Sequence, residues 1–215
     1  MREAVVLLHG VWMPAAEMLM MKRHLEAAGP FEASLFAYPS VRATLDESSA
    51  ALAVFVHSLG TAPVHLVGHS LGGIVALRAL HDHSTLPPGR MVCLGSPLKG
   101  SQAAESLDSH ALGRHLIGDT LPEATVHEPA AAWAGPVLEA REVGSLAGDL
   151  AAGVGRLLVD FGEANDGSVA VSETRLDGLK DHLVMHETHS GMVWSKDVAE
   201  QTAAFLRRGE FLRER

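Results

Sequence analysis

The sequence predicts a doubly wound α/β domain, a mostly parallel sheet with helices on both faces, and three observations carry that expectation. Short apolar, strand-like runs alternate with helix-like segments along the first half of the chain, a pattern in which crossover helices set neighbouring strands parallel. The pentapeptide Gly68-His69-Ser70-Leu71-Gly72 follows the apolar run Val64-His65-Leu66-Val67 and precedes the apolar spacing Ile74, Val75, Leu77, Ala79 and Leu80, so a strand enters a helix through one tight turn. A chain of 215 residues, 47% of them hydrophobic, is enough for one substantial core and hardly for two, so residues 1–215 are read as a single domain.

Taken in order, Ala4–Leu8 is a strand ending in His9-Gly10, and a helix-like stretch follows from about Pro14 to Ala28. Ala33–Ala37 is the next strand and Leu45–Leu59 the next helix; Val64–Val67, the helix after Ser70, and Arg90–Leu94 complete the alternation. Between Lys99 and Gly135 the strand pattern stops, and Ala-, His- and Gly-containing helical segments are punctuated by Pro122, Pro129 and, just beyond, Pro136. This segment, about 99–135, is expected to be a small helical cap over Ser70, the alternative being an ordinary pair of connecting helices. Strand patterns return at Val137–Leu146 and Asp181–His186, and an amphipathic helix runs from about Lys196 to Arg207.

Composition narrows the function classes. A formal charge of −9 with no basic cluster argues against a nucleic-acid partner. No apolar run approaches the ~20 residues of a membrane span. Met1-Arg2-Glu3 leads straight into the first strand, which leaves no room for a signal peptide and predicts a cytoplasmic protein, with a secreted form lacking its leader as the alternative. Cys93, the one cysteine, lies in the apolar run Met91-Val92-Cys93-Leu94 and reads as a small core residue. Oligomeric state is not constrained.

Chemistry concentrates at Ser70. A G-x-S-x-G turn between strand and helix holds its serine in a strained conformation, and Gly68, Gly72 and Gly73 remove side chains that would obstruct it. The following helix points its N-terminus at the serine, favouring negative charge there. Capping of the helix by Ser70 is the bland explanation; the β-branched strand before it and the second strand-turn-helix unit, Ala4 to Trp12, argue for a nucleophile. In serine hydrolases of this architecture one oxyanion donor is the N–H after the nucleophile and another lies after an earlier strand, which selects Leu71 and Val11. His9 is read as a buried structural histidine, since only backbone donors are needed at that place.

Several segments together resemble the α/β-hydrolase superfamily, in particular its small lipase- and esterase-like members, over nearly the whole chain. They are Leu7-Leu8-His9-Gly10, Gly68-His69-Ser70-Leu71-Gly72-Gly73, Leu94-Gly95-Ser96-Pro97-Leu98-Lys99-Gly100-Ser101, Asn165-Asp166-Gly167-Ser168-Val169 and His189-Ser190-Gly191-Met192. The Gly95–Ser101 stretch is similar to a loop of lipase-like and PGAP1-like hydrolases that borders the acyl pocket. The resemblance implies Pro97 and Leu98 as substrate contacts, with Trp12 and His69 beside them.

That fold orders its triad Ser, then Asp or Glu, then His. His189 is the expected base, since it follows the strand-like Asp181–His186 and precedes Gly191; His186, alternating with Val184 and His182, is the runner-up. Asp166 is the expected orienting acid, in the turn tripeptide Asn165-Asp166-Gly167 and 23 residues before His189, a spacing that suits one helix and one strand. Asp160, Glu163 and Asp149 are the alternatives. His81-Asp82-His83 and His182 with His186 have spacings that invite a metal, but neither forms a recognised site, and His81 and His83 close a helix where a cation complements the dipole. No metal or cofactor is expected. The reading is a carboxylic ester hydrolase working through an acyl-serine on a small short-to-medium acyl ester. An acyltransferase, thioesterase or amidase would use the same triad, and a non-catalytic relative would lack one of its members.

Overall fold

The computed structural model describes residues 2–109, 118, 120–152 and 160–213. Its centre is one sheet of six strands, β1 (Glu3–Leu8), β2 (Phe31–Phe36), β3 (Val64–His69), β4 (Met91–Leu94), β5 (Val143–Gly148) and β6 (Asp181–Met185). They run in the order β2-β1-β3-β4-β5-β6 with every pair parallel. The chain goes outward from β1 to β2, then returns across β1 to β3. This reversal makes β1 and β3 the switch point, and their C-terminal ends adjoin at Leu8 and Gly68. Ligand crevices in open parallel sheets form at such a point.

Both faces of the sheet are covered, which is why its strands read as continuous apolar runs. Side chains alternate across the pleat: Val6 and Leu8 enter one core cluster, Val5 and Leu7 the other. The first cluster takes α2 (Leu45–Ser58) and α3 (Leu71–Asp82), the second α1 (Leu19–Ala28) and the last helix. α2 starts with a capping box, Thr44 with Glu47, as its sequence Thr-x-x-Glu allows. The expected helix from Pro14 begins with a 3-10 turn, Ala15–Met18, before α1 takes over.

Beyond β4, α4 (Gln102–Asp108) and helical turns at Thr120–Pro122, Glu123–His127 and Ala130–Ala132 occupy the stretch in which the sequence predicts helical segments without strands. Positions 110–117 and 119 of that stretch lie outside the described residues. The strand expected over Val137–Leu146 is corrected: α5 (Gly135–Ala140) comes first, and β5 begins only at Val143. Pro136 sits in the first turn of α5, where it needs no hydrogen bond, and Val137 and Leu138 bury one side of the helix. α6 (Lys196–Arg208) is capped by Ser195 and ends at Gly209, whose φ of 78° is the left-handed conformation that glycine adopts without strain. No described helix is long and apolar enough to cross a membrane.

Candidate active site

β3 delivers its chain directly into α3, and Ser70 occupies the single residue between them at φ 53°, ψ −123°. A serine held there costs on the order of 1–3 kcal/mol in strain, so its surroundings must enforce it. They do so by close approach. A side chain on Gly68 would collide with the backbone of Gly72 and Gly73, and a Cβ on Gly72 would lie 2.6 Å from the carbonyl oxygen of His9. The elbow therefore packs backbone against backbone. Leu71 is the first residue of α3, so its amide has no acceptor within the helix, while its side chain is buried in the core. Trp12, just after Val11, shares with Ser70 a positive φ, at 62°, and they are the two non-glycine residues with this feature among those described.

The turns after β5 and β6 bring Asp166 and His189 together. His189 Nδ1 lies 2.7 Å from Asp166 Oδ2, while Oδ1 of the same carboxylate accepts the backbone N–H of Ser168 at 2.9 Å and of Val169 at 2.8 Å. Turn chemistry and carboxylate placement are thus the same feature: Asn165 Oδ1 accepts from Gly167 N, and the fold of this turn aims two amides at Asp166. The His189 amide also donates to the Asp166 carbonyl at 2.9 Å. Asp166 is 1% exposed. Burial pushes the His189 pKa down, but the charge and hydrogen bond of Asp166, with the charge of Glu17, outweigh it and hold the imidazole above its ordinary value.

Ser70 and His189 line one cavity of about 360 Å³ at the C-terminal ends of the strands. Val11, Trp12, His69 and Pro97 line it as well, and its apolar wall includes Leu107, Leu121 and Val169. Leu98 does not join them: it is fully buried in the core, with its carbonyl taking the amide of Ala131 at 3.0 Å. Glu173, missed in the sequence, ties this wall together, its carboxylate accepting Gln102 N at 2.7 Å and Ala170 N at 2.9 Å. Burial pushes its pKa up, past the pull of those amides. A second depression, about 830 Å³, lies at the opposite end of the sheet around Arg90, Arg141 and Arg207; among the described residues no serine or cysteine lines it.

The alternative residues go elsewhere. His186 and Asp149 pair with each other, 2.9 Å apart, at the exposed surface. Asp160 accepts from Gly162 N in an exposed turn, and Glu163 from Ser172 Oγ. His81 pairs with Asp82 and His182 with Thr174, and no three His, Cys, Asp or Glu among the described residues are grouped to hold a metal ion. His9 is buried, stacked on Tyr38 at 4.4 Å, and burial lowers its pKa. Cys93 is fully buried, which pushes its thiol up to about 12.

One acidic residue in the cavity was not expected. Glu17 extends from the 3-10 turn before α1, accepts Gly10 N through Oε2 at 3.0 Å, and sets Oε1 3.2 Å from His69 Nδ1, off the hydrogen-bond axis. Both side chains are 3% exposed. Burial pushes the Glu17 pKa up, but His69, the Gly10 amide and His189 together hold it below the usual carboxylate range. The sequence signal was thin: a single Glu among Pro, Ala and Met, seven residues after Gly10.

A parallel sheet that turns a strained serine and an acid-paired histidine toward one cavity at its switch point defines the hydrolase class of α/β folds. The chain belongs to the alpha/beta hydrolase family, whose model matches residues 5–213. No curated protein matches it in sequence. Among solved structures it is similar to the mature form of a Bacillus licheniformis lipase, with TM-score 0.74 and 19% identity over 98% of this chain and 93% of that one. It is also similar to a lipase-esterase related protein from Clostridium acetobutylicum, with TM-score 0.60 and 13% identity over 94% of each chain. A pyrethroid hydrolase matches with TM-score 0.67 and 15% identity over 97% of this chain and 98% of that one. At such identities the likeness is one of fold.

Proposed function

We propose that the chain is a serine carboxylic ester hydrolase with Ser70 as nucleophile, His189 as base and Asp166 as the acid that orients it. The observation that carries this reading is the 2.7 Å contact of Asp166 with His189 Nδ1 in a cavity that Ser70 also lines. With Nδ1–H held by Asp166, Nε2 is left bare to take the Ser70 proton as Oγ attacks the ester carbonyl. The tetrahedral oxyanion rests on the amides of Val11 and Leu71, the second of which heads α3 and adds the positive end of the helix dipole. The intermediate then expels the alkoxide, which takes the proton from His189, and Ser70 stays acylated. Water, deprotonated by His189, attacks the acyl carbonyl and returns Ser70 and a carboxylic acid. Neither metal nor cofactor enters these steps.

The substrate proposed is a small short-to-medium acyl ester. Support comes from the cavity, whose ~360 Å³ is at the small end of the ~300–1,000 Å³ of ligand sites and whose wall is largely apolar. The segment at about 99–135 supplies Leu107 and Leu121 to that wall, which supports its role as a small cap. Labelling with a fluorophosphonate and a panel of p-nitrophenyl, thioester and amide substrates tests the reading. Ser70→Ala is expected to abolish labelling and to lower hydrolysis on the order of 10³-fold or more at unchanged folding. A folded Ser70→Ala variant that still labels, or hydrolyses at the wild-type rate, refutes it.

A further inference from the structure

We propose that Glu17 and His69 form a second acid–histidine pair whose task is to hold the base His189 in line with Ser70; the proposal rests on the serine-hydrolase reading above. His69 Nε2 lies 3.0 Å from the backbone carbonyl oxygen of His189, and a carbonyl only accepts, so Nε2 carries hydrogen. On the other side of the ring Nδ1 faces Glu17 Oε1 at 3.2 Å, where a bare nitrogen against a carboxylate would set two lone pairs together at a distance that leaves no room for water between them. The pair therefore holds one proton, in a close contact whose geometry is off the hydrogen-bond axis. With that proton the pair is neutral and Nε2–H is kept.

The consequence is mechanical. The backbone of His189 is gripped on both sides, its N–H by the Asp166 carbonyl and its C=O by His69 Nε2, and His69 is the residue bonded to Ser70. The two imidazole rings sit 4.7 Å apart between centroids. Glu17 adds a third anchor by accepting Gly10 N, next to the amide of Val11. Nucleophile, base and oxyanion loop are thus tied to one buried carboxylate, which touches no reacting atom. Glu17 and His69 are positioning residues. Losing such a tie misplaces the base, and a displacement near 1 Å costs on the order of 10²-fold in turnover.

Two variants and one spectrum test this. Glu17→Gln can accept from Gly10 with its carbonyl and donate to Nδ1 of a neutral His69 with its amide, so kcat on p-nitrophenyl butyrate is expected within about threefold of wild type. The double variant Glu17→Leu with His69→Leu leaves no unpaired buried charge; its kcat is expected to fall roughly 10²-fold while KM stays within about twofold. Thermal unfolding checks that it is folded. In wild-type protein labelled with ¹⁵N-histidine, His69 is expected to show its proton on Nε2 at neutral pH. A folded double variant with wild-type kcat overturns the proposal, as does a Glu17→Gln variant that loses as much as the double one. A bare His69 Nε2 overturns it whether or not the variants fold. Wild-type protein that a fluorophosphonate does not label at Ser70 refutes the hydrolase reading itself, and so is told apart from failure of the pair.

Discussion

Replacing Asp166 by asparagine should leave the fold in place and remove most of the activity, for a reason visible in the bonds of the carboxylate. Oδ1 accepts two amides, those of Ser168 and Val169, in a site 1% exposed. An asparagine must therefore keep its carbonyl there, because turning it over would set its NH₂ against two donors and orphan both, at about 1–3 kcal/mol each. The NH₂ is thus forced toward His189 Nδ1, which can meet it only as an acceptor. The histidine then carries its proton on Nε2, the nitrogen that has to receive the Ser70 proton. Selection of the wrong tautomer and loss of the charge-assisted bond to the imidazolium each amount to about 1.5–3 kcal/mol, together on the order of 10²–10⁴-fold in kcat. The upper end agrees with the ~10⁴ found for the same change in a serine protease triad. The pH profile should move too. Burial alone depresses the His189 pKa and Asp166 is the main force raising it, so the acid limb of kcat/KM, which reports the base losing its proton, shifts to lower pH in the variant. The assay is hydrolysis of p-nitrophenyl butyrate between pH 5 and 9 with thermal unfolding alongside. A folded Asp166→Asn variant within about tenfold of wild-type kcat, or an Asp149→Asn variant that loses as much, refutes the assignment.

Two further outcomes follow from the cavity wall and from a buried histidine. Leu107→Trp should crowd the cavity and cut kcat/KM for the octanoate ester roughly tenfold relative to the acetate, read from a p-nitrophenyl series; an unchanged chain-length profile would remove Leu107 from the acyl pocket. His182, hydrogen-bonded to Thr174 Oγ at 2.8 Å, has its pKa pushed down by burial, then by Arg175, to about 4. The fold binds its neutral form, so the stability it contributes is full above the unfolded value of ~6.5 and is lost as pH falls from there toward 4. His182→Gln, which keeps a partner for Thr174, should flatten that part of the acid denaturation curve; equal slopes for both proteins in urea titrations from pH 7 to 4 would contradict it.

What was legible in the sequence was what short-range pattern determines. The elbow is the clearest case, because a serine at φ 53° needs glycine where backbones meet, and Gly68 and Gly72 announce that need without any knowledge of their partners. The contact between Asp166 and His189, on which the proposed triad rests, joins two turns of a few residues, Asn165–Gly167 and Thr188–Gly191, each with a local hydrogen bond of its own. Their exposed rivals Asp149 and His186 carried the same residue types and found each other instead, so residue type alone did not separate the two pairs. Val137–Leu146 reads as one strand because Val137, Leu138 and Leu146 are apolar in any register; Pro136 and the burial of Val137 beside Leu138 decide for a helix first. The loop it belongs to suggests Leu98 for the pocket, but Leu98 lies in a tight turn, its amide bonded to the Ser96 carbonyl at 2.9 Å, and that turn leaves Pro97 at the cavity and Leu98 in the core. Glu17 escaped for a deeper reason. Its partners are the amide of Gly10 and the ring of His69, 52 positions away, and nothing in the run Pro-Ala-Ala-Glu-Met says that the fourth residue points inward. A carboxylate is almost never fully buried without a partner, so a charged residue with no local reason for burial becomes informative only once the fold has buried it. By the same reasoning, a lone acid on an apolar helical face next to a G-x-S-x-G site merits a search for its histidine before it is read as solvated surface.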